Sequence, residues 1–117
     1  LDMNVLRDRQ PNYVQLSGGE IRNGYTIKIL NKETSPREFK LAIDNLPAPI
    51  LSVAGQRADA GNVFSVPADE TMDFKIYIAV PNVSALEQKT DFTLVLEDIE
   101  SGNKTESKAI FISGGPK

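Results

Sequence analysis

The residues of this chain that could do chemistry are mostly carboxylates and arginines. Glu97, Asp98 and Glu100 stand close together, with Asn103 just beyond. Oxygen ligands at that density suit Ca²⁺. The spacing is not that of an EF-hand loop, and a solvated hairpin tip accounts for the same charges. Asp69, Glu70 and Asp73 form a second acidic group ahead of the apolar run Phe74 to Ile78. There they read as charges that keep a strand from pairing with another chain. Met3 and Met72 carry thioethers, soft ligands for copper(I). With no His or Cys beside them they make a poor site. Met72 reads as a core or edge residue and Met3 as a linker residue.

The missing residue types exclude more than the present ones suggest. The 117 residues contain no Cys and no His. Disulfides, cysteine-ligated iron–sulfur clusters, thiolate chemistry and the usual serine or cysteine triads are therefore excluded within them. Carboxylate pairs can hydrolyse glycosides, but there is no Trp to stack a sugar and no pair stands out. A net charge of −3 argues against nucleic acid. Asn82-Val83-Ser84 and Asn103-Lys104-Thr105 fit the glycosylation acceptor pattern and mark exposed loops. Ser17-Gly18-Gly19 is not a phosphate loop, because no Lys-Ser/Thr follows. Arg7 and Arg9 flank Asp8 and are candidate contact residues, with Tyr13 shortly after them.

The elements that must position these groups follow a period of two. Tyr25 to Ile29, Phe39 to Asp44, Phe74 to Ile78 and Phe92 to Glu97 each alternate apolar with polar side chains. Ala109 to Ile112 is a shorter run. Tyr13 to Leu16, Ile50 to Val53 and Val63 to Val66 are weaker candidates. Turn residues separate them: Ser17-Gly18-Gly19, Asn23-Gly24, Thr34-Ser35-Pro36, Asn45-Leu46-Pro47, Gly55, Ala60-Gly61-Asn62, Pro67-Ala68-Asp69, Pro81-Asn82 and Ser101-Gly102-Asn103. The clearest hairpin runs out along Phe92 to Asp98 and returns along Thr105 to Ser113, with Gly102-Asn103 in left-handed positions. Ser84 to Lys89 could form one helical turn. The expected fold is all-β: an immunoglobulin-like or fibronectin-like antiparallel β-sandwich of about seven or eight strands, without a disulfide.

Residues 1–12 are polar and end near Pro11, which predicts a linker leading into a sandwich domain over residues 13–117. Charge is lopsided, with eight cations against seven anions in residues 1–60 and five against nine in residues 61–117. No apolar run reaches the roughly 20 residues of a membrane helix. The first residue is Leu1, and no signal peptide follows, so the sequence reads as part of a longer chain.

Asn4-Val5-Leu6-Arg7-Asp8-Arg9-Gln10-Pro11, then Tyr13-Val14, then Gly19 through Lys32 with Ile21-Arg22-Asn23-Gly24-Tyr25 at its centre, resemble the C-terminal domain of the FixG (CcoG) family. The likeness covers the whole chain and is strongest through residue 32. It implies an immunoglobulin-like domain after the last membrane helix of a bacterial inner-membrane protein, facing the periplasm. Arg7 and Arg9 by themselves lean towards the cytoplasm under the positive-inside rule. The resemblance further implies two four-iron–four-sulfur clusters in a preceding portion. That portion would move electrons, and reduce copper, for assembly of the cbb-type cytochrome c oxidase. None of those cysteines lies here, so no cofactor is expected in this domain.

The expected function is that of a non-catalytic interaction domain. Its partner would be its own membrane portion, an oxidase subunit or a copper carrier, with Arg7, Arg9 and Tyr13 as contact candidates. Two alternatives stand beside it. One is a carboxylate-based hydrolase or lyase. The other is a calcium-binding or adhesive module of a bacterial surface protein, with its ion at Glu97 to Asn103.

Overall fold

Alternation of apolar and polar side chains decides the architecture. A computed structural model of the chain describes residues 2–8, 13–16, 19–54, 63–81 and 89–113. Nine strands lie among the described residues: β1 (Asp2–Arg7), β2 (Val14–Gln15), β3 (Ile21–Leu30), β4 (Arg37–Asp44), β5 (Ile50–Val53), β6 (Val63–Val66), β7 (Thr71–Val80), β8 (Lys89–Asp98) and β9 (Lys104–Ile112). One sheet has the order β1-β3-β7-β5, with β2 also on β3; the other has the order β6-β4-β8-β9. Every pairing is antiparallel. The longest ladder joins β3 to β7, from Ile21 opposite Val80 to Leu30 opposite Thr71.

The inward rows meet between the sheets. Tyr25, Ile27 and Ile29 of β3 and Ile76 and Ile78 of β7 face Phe39, Leu41, Phe64, Phe92, Leu94, Leu96 and Phe111. Tyr25 meets Phe92 edge-on at 5.8 Å, and Phe64 meets Phe74 at 4.7 Å, so both ring pairs cross from one sheet to the other. Burying each such side chain contributes about 2 kcal/mol.

The hairpin of β8 and β9 forms as its sequence predicts, with Gly102 at φ 78°. Asn103 is not in the left-handed region. The weaker candidates at Ile50 to Val53 and Val63 to Val66 are strands, and the Tyr13 segment contributes Val14–Gln15. Asn45 and Asp69 take positive φ at the expected turns. Gly55, Ala60-Gly61-Asn62, Ser17-Gly18, the Asn82-Val83-Ser84 triplet and the helical turn from Ser84 lie outside the described residues; Lys89 opens β8.

Two expectations need correction. Residues 2–7 are not linker but an edge strand on β3, from Asp2 opposite Leu30 to Arg7 opposite Tyr25. An edge strand needs only one buried row, and Met3 and Val5 supply it against the core. Met3 is thus a packing residue. Asn23-Gly24 is not a turn; both residues sit inside β3.

The reason lies across the sandwich. The Asn23 amide is fully buried. Its Nδ2 donates to the Ile112 carbonyl at 2.8 Å, and its Oδ1 accepts from the Ile112 N–H at 2.8 Å. It pairs with the free edge of β9 as a neighbouring strand would. Two residues on, the Tyr25 hydroxyl donates to the Ile110 carbonyl at 2.8 Å. At the far end of β3, Asn31 Nδ2 is shared among the carbonyls of Ser35, Val66 and Pro67 at 3.1 Å, and Asn31 Oδ1 accepts from the Glu33 N–H. One strand therefore clasps β9 at one end and the end of β6 at the other. Those are the two edges of the opposite sheet.

Asn23→Leu keeps the volume and leaves the Ile112 N–H and C=O unpaired. It should cost about 3 kcal/mol, seen as a lower urea midpoint of unfolding with an unchanged slope.

Burial raises the Tyr25 phenol above its usual value of 10.0. The unfolded phenol ionises near pH 10 while the folded one stays protonated to higher pH. The stability owed to Tyr25 is therefore complete below pH 10 and declines as the pH rises beyond it. Tyr25→Phe starts about 1 kcal/mol less stable, because the Ile110 carbonyl loses its donor. Its urea midpoint should then fall less steeply than that of the unaltered chain in alkaline solution.

Candidate functional site

Where β1 and β9 approach each other, the two sheets leave an open cleft of about 340 Å³. Val5, Leu6 and Arg7 line one wall; Lys108, Ala109 and Ile110 line the other, with Tyr25 at the base. Leu6 is 69% exposed and Ile110 42%, large values for residues of their kind. Among the described residues both lining charges, Arg7 and Lys108, are cationic. Arg7 Nη1 donates to the Asp8 carbonyl at 3.0 Å, which holds the guanidinium near the mouth. Its charge partly opposes the rise of the Tyr25 phenol. The arrangement can hold an apolar side chain beside a carboxylate.

Of the two expected contact residues that are described, Arg7 lies in this cleft and Tyr13 does not. Tyr13 is half-buried and packs on the rim of the core. Arg9 lies outside the described residues. Leu6, Lys108 and Ile110 escaped the sequence reading. A signal for Ile110 was present, since Ala109 to Ile112 is apolar on both faces. A strand with that pattern is covered on both sides or exposes one apolar row.

The acidic hairpin tip is also corrected. Asp98 is buried, not solvated. It accepts from Arg37 Nη1 at 3.2 Å and from the Glu100 N–H at 3.0 Å, which closes the turn. Arg37 Nη1 also meets Glu100 Oε2 at 2.8 Å. Carboxylates neutralised by a guanidinium are poorly placed to take a cation. Among the described residues no three His, Cys, Asp or Glu are grouped to hold a metal ion. Asn103 is exposed, as its loop position requires.

The outer face of the first sheet carries a second arrangement. Asp8 N–H donates to the Gly24 carbonyl at 2.8 Å, which extends the β1 ladder. The Asp8 carboxylate then crosses above Gly24 to pair with Lys75. A Cβ on residue 24 would fall 2.7 Å from Asp8 Oδ2, so glycine is there for space. Tyr77, directly opposite Gly24, lies between Arg22 and Lys75, whose charges stand 4.5 and 5.6 Å from its ring centre.

The two antiparallel sheets packed face to face define an immunoglobulin-like β-sandwich. The chain belongs to the FixG C-terminal family, described as "IG-like fold at C-terminal of FixG, putative oxidoreductase", which matches residues 1–114. Nitrogen fixation protein FixG of Rhizobium meliloti is 34% identical over 95% of this chain and 22% of its own length. Protein RdxB of Cereibacter sphaeroides is 36% identical over 98% of the chain and 24% of its own length. The chain thus spans less than a quarter of the curated relatives it matches. In fold it is similar to the crystal structure of a FixG-related protein from Vibrio parahaemolyticus, with a TM-score of 0.76 at 23% identity, over 95% of this chain and 94% of that one.

Replacing Arg37 by Met leaves the buried Asp98 carboxylate without its cation. A loss of about 3 kcal/mol is expected, because a stranded buried charge costs more than an exposed ion pair gains. Urea unfolding at low and high salt checks this, and the loss should persist in both.

Proposed function

We propose that this domain is the non-catalytic docking module of a FixG-like protein of the bacterial inner membrane, on its periplasmic face. The preceding portion would carry the membrane helices and two four-iron–four-sulfur clusters. It would pass electrons for copper reduction during assembly of the cbb-type cytochrome c oxidase. Family membership and the description of FixG as an oxidoreductase support the parent's redox role. With neither Cys nor His, this domain supplies no cluster ligand.

The observation that carries the docking role is the β1–β9 cleft. Leu6 and Ile110 remain exposed at its mouth, and its lining charges have one sign. The partner surface would be the parent's membrane portion, an oxidase subunit or a copper carrier. Leu6→Thr with Ile110→Thr removes the apolar surface while keeping side chains that suit a strand. Losing about 1.4 kcal/mol of docking energy weakens association about tenfold. Cells carrying this pair of substitutions in the full-length protein should therefore assemble several-fold less active cbb-type oxidase. The melting temperature of the domain should change little. Unchanged oxidase activity would overturn the reading.

A further inference from the structure

Arg22 is the one arginine among the described residues for which no hydrogen bond or ion pair is made. Its guanidinium carbon stands over the Tyr77 ring, 4.5 Å from its centre, and its Nε is buried without a partner. Arg37 also has an unpartnered Nε, but its Nη1 is committed to Asp98 and Glu100. Around Arg22 the outer face of the first sheet forms a hollow of about 210 Å³, lined by Asp8, Val14, Arg22, Gly24, Lys75 and Tyr77.

The register explains how the hollow is built. Val14 of β2 stands opposite Arg22 on one side, Ala79 of β7 on the other, and Ile50 of β5 follows Ala79. The guanidinium therefore sits in an apolar row, and Ile50 is 50% exposed at its end. The Tyr77 ring takes one side of the guanidinium, and a planar fork is the shape that a carboxylate meets with two parallel bonds. Apolar neighbours strengthen such a pair by lowering the local dielectric. Among the described residues of the lining, the one carboxylate, Asp8, is taken by Lys75. The hollow thus has a net positive charge in a chain of net charge −3.

We propose that the outer face of the first sheet docks an acidic segment of a partner protein, with a carboxylate seated on the Arg22 guanidinium and an apolar neighbour against the exposed Ile50. The site is separate from the β1–β9 cleft. It names a chemistry for a second contact, and its test reads Arg22 directly, so oxidase assembly does not enter the outcome.

The test is an NMR titration of the 117-residue chain, following the Arg22 Nε–H resonance. The Vibrio chain, 94% covered by this one, was crystallised at this extent. The probe is the peptide acetyl-Glu-Glu-Leu-Glu-Glu-amide. Its Gln counterpart and inorganic phosphate serve as parallel arms. The Glu peptide should move the Arg22 signal saturably below about 10 mM, and the Gln peptide should not. Arg22→Lys keeps the charge but not the fork, and should bind about tenfold more weakly, followed through backbone amide shifts of residues 22, 77 and 79. No saturable shift with the Glu peptide would overturn the proposal. So would equal binding by Arg22→Lys, or saturation by phosphate alone, which would point to a phosphate headgroup instead of a protein.

Discussion

A single buried amide sets the terms of this sandwich. Asn23 gives both of its hydrogen-bonding atoms to the main chain of Ile112, and so adds a directional joint to two sheets that meet mostly through side-chain packing. Packing is non-directional and would tolerate a slide of one sheet over the other. A pair of 2.8 Å bonds to one peptide unit would not. Asn31 repeats the device at the other end of β3, on the carbonyls of Val66 and Pro67. The two clasps lie at opposite ends of one strand and on opposite edges of the facing sheet. They fix both the offset and the rotation between layers, in a fold without a disulfide to do so.

The same short stretch also shapes the surfaces. Tyr25 follows Asn23 onto the β9 edge and forms the base of the cleft between β1 and β9. Gly24, between them, points to the other face and leaves room for Asp8 to reach Lys75. Arg22, one residue earlier, lies on Tyr77. Residues that resemble the family signature turn out to be adjacent parts of one joint. Inward side chains lock the sheets, and outward ones dress a face. The motif Arg7-Asp8 belongs to the same joint, since Asp8 binds Gly24 through its backbone and Lys75 through its side chain.

The sandwich was legible because half-buried strands write their period into the sequence. Phe39 to Asp44, Phe74 to Ile78 and Phe92 to Glu97 all fall within strands. The misreadings share a cause. Asn-Gly between alternating residues is the strongest local signal for a tight turn, and only a partner 89 positions away reverses it at Asn23. Asp2 to Arg7 looked like linker because an edge strand buries a single row, here Met3 and Val5. Asp98 looked solvated because its cation, Arg37, is remote in sequence. At the candidate site Arg7 could be picked out by charge. Its apolar neighbour Ile110 and its second cation Lys108 come from the far end of the chain, and only the register of the sheets brings them there.

The clasp at Asn23 has a consequence for the ageing of the molecule. An Asn followed by Gly is the sequence most open to deamidation: the Gly nitrogen attacks the side-chain carbonyl carbon, expels ammonia and closes a succinimide. In the folded chain the Asn23 amide is held across the sandwich by Ile112, and Gly24 is fixed in the β3 ladder, so the attack cannot align. Each excursion to the unfolded state lifts that protection. Water opens the succinimide to aspartate or isoaspartate, which would place a carboxylate against the Ile112 carbonyl and destabilise the fold. This joint therefore keeps a chemical record of time spent unfolded.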